Sequence, residues 1–130
     1  MRDRRDTGSA SIELVILFPA LLLLVTALVQ YGLWFHARSV ALAAAQQGVA
    51  AARAYGANPA TGRDVALRFV AEHASESLLS ATATSTASGG QHVEVVVTGH
   101  APSVLPGLSG FTVQQAASAP VERFTTRDAP

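Results

Sequence analysis

The sequence predicts an α+β protein: a long N-terminal transmembrane helix that continues outside the membrane, a second amphipathic helix, and a small antiparallel sheet of two to three strands. Three observations carry this expectation. Residues 12–35 are apolar apart from Glu13, Thr26 and Gln30; the alanine-rich stretch after them contains no proline as far as Tyr55; and beyond residue 90 the hydrophobic period changes from helical to two.

As a helix, residues 12–35 measure about 36 Å, against roughly 30 Å of membrane hydrocarbon, so the run is long enough to span. Tyr31, Trp34 and Phe35 cluster at its far end, followed by His36 and Arg38. Amphipathic rings favour the headgroup level, which puts the exit near Trp34. Arg2, Arg4 and Arg5 precede the run and only Arg38 follows closely, a bias that places the N-terminus in the cytoplasm and the C-terminal region outside. Pro19 removes an amide donor and frees the Val15 carbonyl, so a kink or local unwinding is expected there.

Alanine, the strongest helix former, carries the helix on through residues 36–55. Small residues recur there at every fourth position, Ala37, Ala41 and Ala45 on one row and Ala44, Gly48 and Ala52 on a neighbouring one. Such a face lets another backbone approach closely and offers a contact for a homo-oligomer through the Ala-rich helix. Gly56, Asn58, Pro59 and Gly62 break the pattern, and Thr61 with Asp64 three residues on predicts a capping-box start for a second helix reaching about Ser80. Val65, Ala66, Phe69, Val70 and His73 share one arc of it.

Residues 82–90 are all Ala, Ser, Thr and Gly, which predicts a flexible loop. Val93, Val95 and Val97 then alternate with His92, Glu94 and Thr98. Phe111, Val113, Ala117, Ala119 and Val121 alternate with polar or small neighbours, interrupted by Gln115. Between these strands Pro102, Pro106, Gly107 and Gly110 predict a turn-rich connection with room for a short third strand around Val104 and Leu105. Two or three strands do not hold a fold alone, so the sheet must lay its apolar face on a helix.

Nine arginines balance nine acids and lysine is absent, so no basic surface argues for nucleic acid. With no cysteine, disulfides, thiolate metal sites and a cysteine nucleophile are excluded together. His73 and Glu76 stand at the i,i+3 spacing that could pair two metal ligands, but the sequence places no third. Neither a nucleophile elbow nor a phosphate-binding glycine loop is present, and the sequence predicts no cofactor and no enzyme activity.

The informative motif is Gly8-Ser9-Ala10-Ser11-Ile12-Glu13: a glycine after a short basic leader, then a glutamate five residues on, at the mouth of the apolar helix. An acid within a transmembrane helix costs about 2.5–3.5 kcal/mol at the centre and less near the interface, so Glu13 requires an explanation. The motif resembles the prepilin processing signature. With Leu14, with Phe18-Pro19-Ala20 followed by leucines, with the Ala-rich continuation and with Ala119-Pro120-Val121-Glu122, the chain resembles the TadE-like family, pilin-like pseudopilins of the Tad/Flp tight-adherence pilus system.

That resemblance implies cleavage after Gly8 by a prepilin peptidase on the cytoplasmic side, leaving Ser9 as the mature N-terminus. Its new α-amine would lie one helical turn from Glu13, which the resemblance assigns to contact between subunits. Ser9 stands where type IV pilins carry phenylalanine or methionine, and Leu14 where Flp major pilins carry tyrosine; these departures favour a minor, pseudopilin role over the main filament subunit. The organisation implied is a leader over 1–8, a transmembrane and extended helix over 9–55, a small extracytoplasmic α+β region over 56–124, and a disordered tail over 125–130. Partners implied are the peptidase, other pilin-like or pseudopilin subunits, the pilus assembly machinery and membrane lipids. Two readings compete: a secreted chain cut at an Ala-x-Ala site within residues 41–45, and a signal-anchored extracytoplasmic binding module unrelated to pili.

Overall fold

The computed structural model describes residues 4–54 and 58–121, with side chains from residue 8 onward. The expected tail, the Gly56 breaker and Glu122 fall outside these residues. The first helix, α1, runs from Arg4 to Ala54 and is helical throughout, Pro19 included. Its two halves differ in cover. Residues 8–25 are exposed along their whole length, whereas Gln30, Ala37, Ala41, Ala44, Ala45, Val49 and Ala52 are buried under the rest of the chain.

The second helix, α2, spans Pro59–His73. Asn58, not Thr61, is its N-cap: the Asn58 side chain accepts a hydrogen bond from the Ala60 amide at 3.1 Å, and Pro59 follows at the first helical position, where no amide hydrogen is needed. The expected capping box at Thr61 and Asp64 therefore lies inside the first turns. The helix also stops earlier than the expected Ser80. Chain reversal after Ala74 brings Leu78 into the core, where it is 2% exposed and lies against Gly99. A straight continuation of α2 does not deliver that side chain.

Three strands follow, β1 (Leu79–Ser88), β2 (His92–His100) and β3 (Thr112–Pro120), in an antiparallel meander ordered β1-β2-β3. The segment expected to be a loop over 82–90 is mostly β1. Its Thr82, Thr84 and Thr86 face outward and pair with Thr98, Val96 and Glu94 across the sheet, while Ala83 faces the core. Threonine is β-branched and suits a pleated surface, and alanine suffices inside because a helix lies close above it. Gly89 and Gly90, both at positive φ (60° and 67°), make the hairpin turn to β2. The strand expected around Val104 and Leu105 is absent; those residues lie in the turn-containing connection between β2 and β3. Val93, Val95 and Val97 are fully buried, as their alternation predicts, and Gln115 occupies an inward position of β3.

The core is built from small side chains that bring backbones close. At Gly48 of α1 an added Cβ would lie 2.6 Å from the Gly62 carbonyl oxygen of α2, and at Gly62 one would lie 3.0 Å from the Gly48 carbonyl oxygen. The small-residue rows of α1 thus do admit a second backbone, but it comes from this chain. The face expected to serve a homo-oligomer is occupied by α2 and the sheet.

Candidate functional site

The bare half of α1 presents Gly8 and Ser9 exposed and Glu13 exposed one turn after Ser9. Ser9 and Glu13 are four residues apart on a helix, hence on the same side. Beyond Glu13 stand Leu14, Val15, Ile16, Leu17 and Phe18, each at least 60% exposed, and the leucines after Pro19 are also uncovered. A contiguous apolar surface of this extent is a contact surface for lipid or protein. Together with its length, it fits a single-pass membrane anchor.

An aromatic girdle closes the bare half. Tyr31 lies 5.9 Å from Trp34 and 6.5 Å from Phe35 between ring centroids, and the Arg38 guanidinium sits 5.7 Å from the Trp34 ring, a cation–π contact. Just below it, Gln30 is only 8% exposed. Its amide nitrogen donates to the Pro102 carbonyl and its amide oxygen accepts from the Val104 amide, each at 3.1 Å. Sequence reading counted Gln30 only as a polar interruption of the span. In the structure it is a two-point clamp that holds the β2–β3 connection against the helix.

Beside this clamp, helix and connection enclose an open groove of about 750 Å³, lined on the helix side from Leu23 to Trp34 and on the other by Leu105, Leu108 and Phe111. The metal reading of His73 and Glu76 loses its geometry, because α2 ends at His73 and Glu76 lies beyond it. The His73 ring instead stacks on Phe69 at 4.8 Å. Among the described residues no group of three metal-ligating side chains comes together.

A family model described as TadE-like protein matches residues 8–50, which is 43 of the 130 residues. No curated protein and no solved structure shows a significant match to the chain. The matched segment starts at Gly8 and ends inside α1, so it covers the bare half, the aromatic girdle and the small-residue face as far as Gly48, but neither α2 nor the sheet. The exposed anchor agrees with a membrane location.

Proposed function

We propose, with the TadE-like segment as premise, that this chain is a membrane-anchored pseudopilin of Tad pilus assembly, a structural component rather than a catalyst. A prepilin peptidase cuts it after Gly8, and Ser9 and Glu13 then face neighbouring pilin-like subunits. The observation that carries this reading is that the family match begins at Gly8, the glycine five residues before Glu13, and that Gly8, Ser9 and Glu13 all stand exposed on the uncovered part of α1. Gly8 is helical here, so the chain must unwind locally to enter a peptidase groove. Glycine lowers that barrier, being about 1 kcal/mol less favourable than alanine in a helix. Cleavage creates a cation at Ser9, one turn from Glu13, and the pair offsets the cost of holding a carboxylate at the membrane edge.

The arginines before the span place the leader in the cytoplasm and the folded region outside. Protease added to intact spheroplasts should digest that region; protection until the membrane is opened would reverse the orientation. The secretory alternative is disfavoured by packing, since a cut within residues 41–45 removes Ala37, which is fully buried against the sheet and its neighbours. N-terminal sequencing of the chain recovered from membranes tests the central claim. Ser9 at the first cycle supports it, an intact initiator end indicates a plain anchor, and an end within the alanine run indicates secretion.

A further inference from the structure

The connection between β2 and β3 carries four exposed apolar side chains within eight residues: Val104 at 44%, Leu105 at 41%, Leu108 at 62% and Phe111 at 64% exposure. Nothing in the proposed assembly role uses them. They sit beside α1 at the level of Gln30 and Trp34, at the end of the apolar span rather than out on the folded region. We propose that this connection is a membrane-dipping collar, and that the groove between it and α1 holds an acyl chain of a phospholipid in the leaflet on the side of the folded region.

Three features of the groove select lipid. The first is continuity, since its helix wall begins at Leu23, inside the apolar span, and ends at Trp34, in the girdle. Those positions are about 17 Å apart along a helix, against about 15 Å for the hydrocarbon of one leaflet. The second is chemistry: among the described residues no charged side chain lines the groove, and three of its polar side chains, Thr26, Gln30 and Ser103, are already engaged within the chain. The Thr26 hydroxyl donates to the Leu22 carbonyl at 2.8 Å, both ends of the Gln30 amide bind the connection's backbone, and the Ser103 hydroxyl accepts from the Leu105 amide at 3.2 Å. A charged ligand would find no counter-charge there.

The third feature is depth. From Trp34 down to Gln30 is about 6 Å along the helix. Interfacial elements of membrane-bound proteins bury themselves about 5–10 Å below the headgroups, which matches that depth.

The inference rests on residues 12–35 spanning the membrane, and the test keeps the two separable. Because the chain lacks cysteine, single nitroxide labels can be placed at Leu108→Cys, at Leu22→Cys within the span and at Ser88→Cys on the far hairpin, in the full chain reconstituted in phosphatidylcholine nanodiscs. Accessibility to molecular oxygen, which partitions into lipid, is compared with accessibility to a water-soluble nickel chelate. Leu108 and Leu22 should both show an oxygen-to-nickel ratio several-fold above that of Ser88. A water-like ratio at Leu108 with a lipid-like one at Leu22 overturns the collar and leaves the span intact. Poor access of both reagents to Leu108 means that protein covers it, assigning the groove to a second copy and overturning the lipid assignment. A water-like ratio at Leu22 removes the span and the collar together.

Discussion

Replacing Gly48 by alanine puts one methyl group where α1 and α2 cross. The new carbon would stand 2.6 Å from the Gly62 carbonyl oxygen, 3.1 Å from a Val95 methyl and 3.2 Å from the Ala66 Cβ, whereas ordinary contact begins at about 3.4 Å. The helices must therefore separate by roughly 0.8 Å, and the facing atom is backbone, which cannot rotate away. Overpacking of this kind costs about 1–3 kcal/mol, and a radial gap of 0.5–1 Å forfeits a quarter to a half of each affected dispersion contact. Against this stands a helix-propensity gain of about 1 kcal/mol for alanine over glycine. The expected net loss for Gly48→Ala is about 1 kcal/mol, and Gly48→Val should lose more. Gly32 gives the control, because nothing lies within 4 Å of its added Cβ and the propensity gain stands unopposed. Thermal unfolding of the full chain in detergent micelles, followed by the fluorescence of Trp34, which packs on the core, reads both changes. About 1 kcal/mol corresponds to a midpoint shift of roughly 4–8 °C for a region this small. A Gly48→Ala protein that melts at or above the wild-type temperature would refute the close-crossing argument.

Further outcomes follow from other contacts. Gln30→Leu removes both hydrogen bonds of the clamp, worth about 1 kcal/mol each, so chymotrypsin should cut the 103–111 connection faster while the helices persist; an unchanged cutting rate would leave the clamp without a role. At Gly110 an added Cβ would fall on the Ala101 carbonyl, so Gly110→Ala should lower the amount of chain surviving in membranes sharply. Gly107→Ala meets open space and is opposed only by its positive φ of 81°, about 1–2 kcal/mol, so it should lose less, and equal survival of the two would count against the steric account. Glu13→Leu should insert at least as well as the native chain and still be cut after Gly8. Cross-linking between subunits from Gln47→Cys, an exposed position on α1, should nevertheless fall, and equal cross-linking would reduce Glu13 to a tolerated carboxylate.

The elements with a strong period were legible in the sequence. Val93, Val95 and Val97 alternate cleanly because one face of β2 lies on helices and the other faces solvent, and the Ala-rich face of α1 was visible as spaced small residues. Strand β1 was not, although Thr82, Thr84 and Thr86 alternate with Ala81, Ala83 and Ser85; side chains that small give little hydrophobic contrast. Pro59 was read as a breaker, when Asn58-Pro59 is equally a start signal. The end of α2 depends on Leu78 meeting Gly99, a tertiary contact that no local pattern announces. Gly8 and Glu13 were singled out by resemblance to the prepilin processing signature, and the structure leaves both exposed. Gln30 could not be assigned its partner, because the connection it holds lies 72 residues away in the chain.

Because α1 is one helix from Arg4 to Ala54, its anchor and its covered half share a single rotational phase. At 3.6 residues per turn Gln30, Ala37, Ala44 and Ala52 fall within one arc, and Glu13 lies roughly a quarter-turn away from it. The azimuth of Glu13 is thus indexed to the sheet that grips the helix many turns later. Inserting one residue between Phe18 and Leu24 would swing Glu13 by about 100° relative to the sheet, while inserting seven would return it to within about 20°. A neighbour that engages Glu13 therefore meets the folded region of this chain from one compass bearing, without touching that region at all.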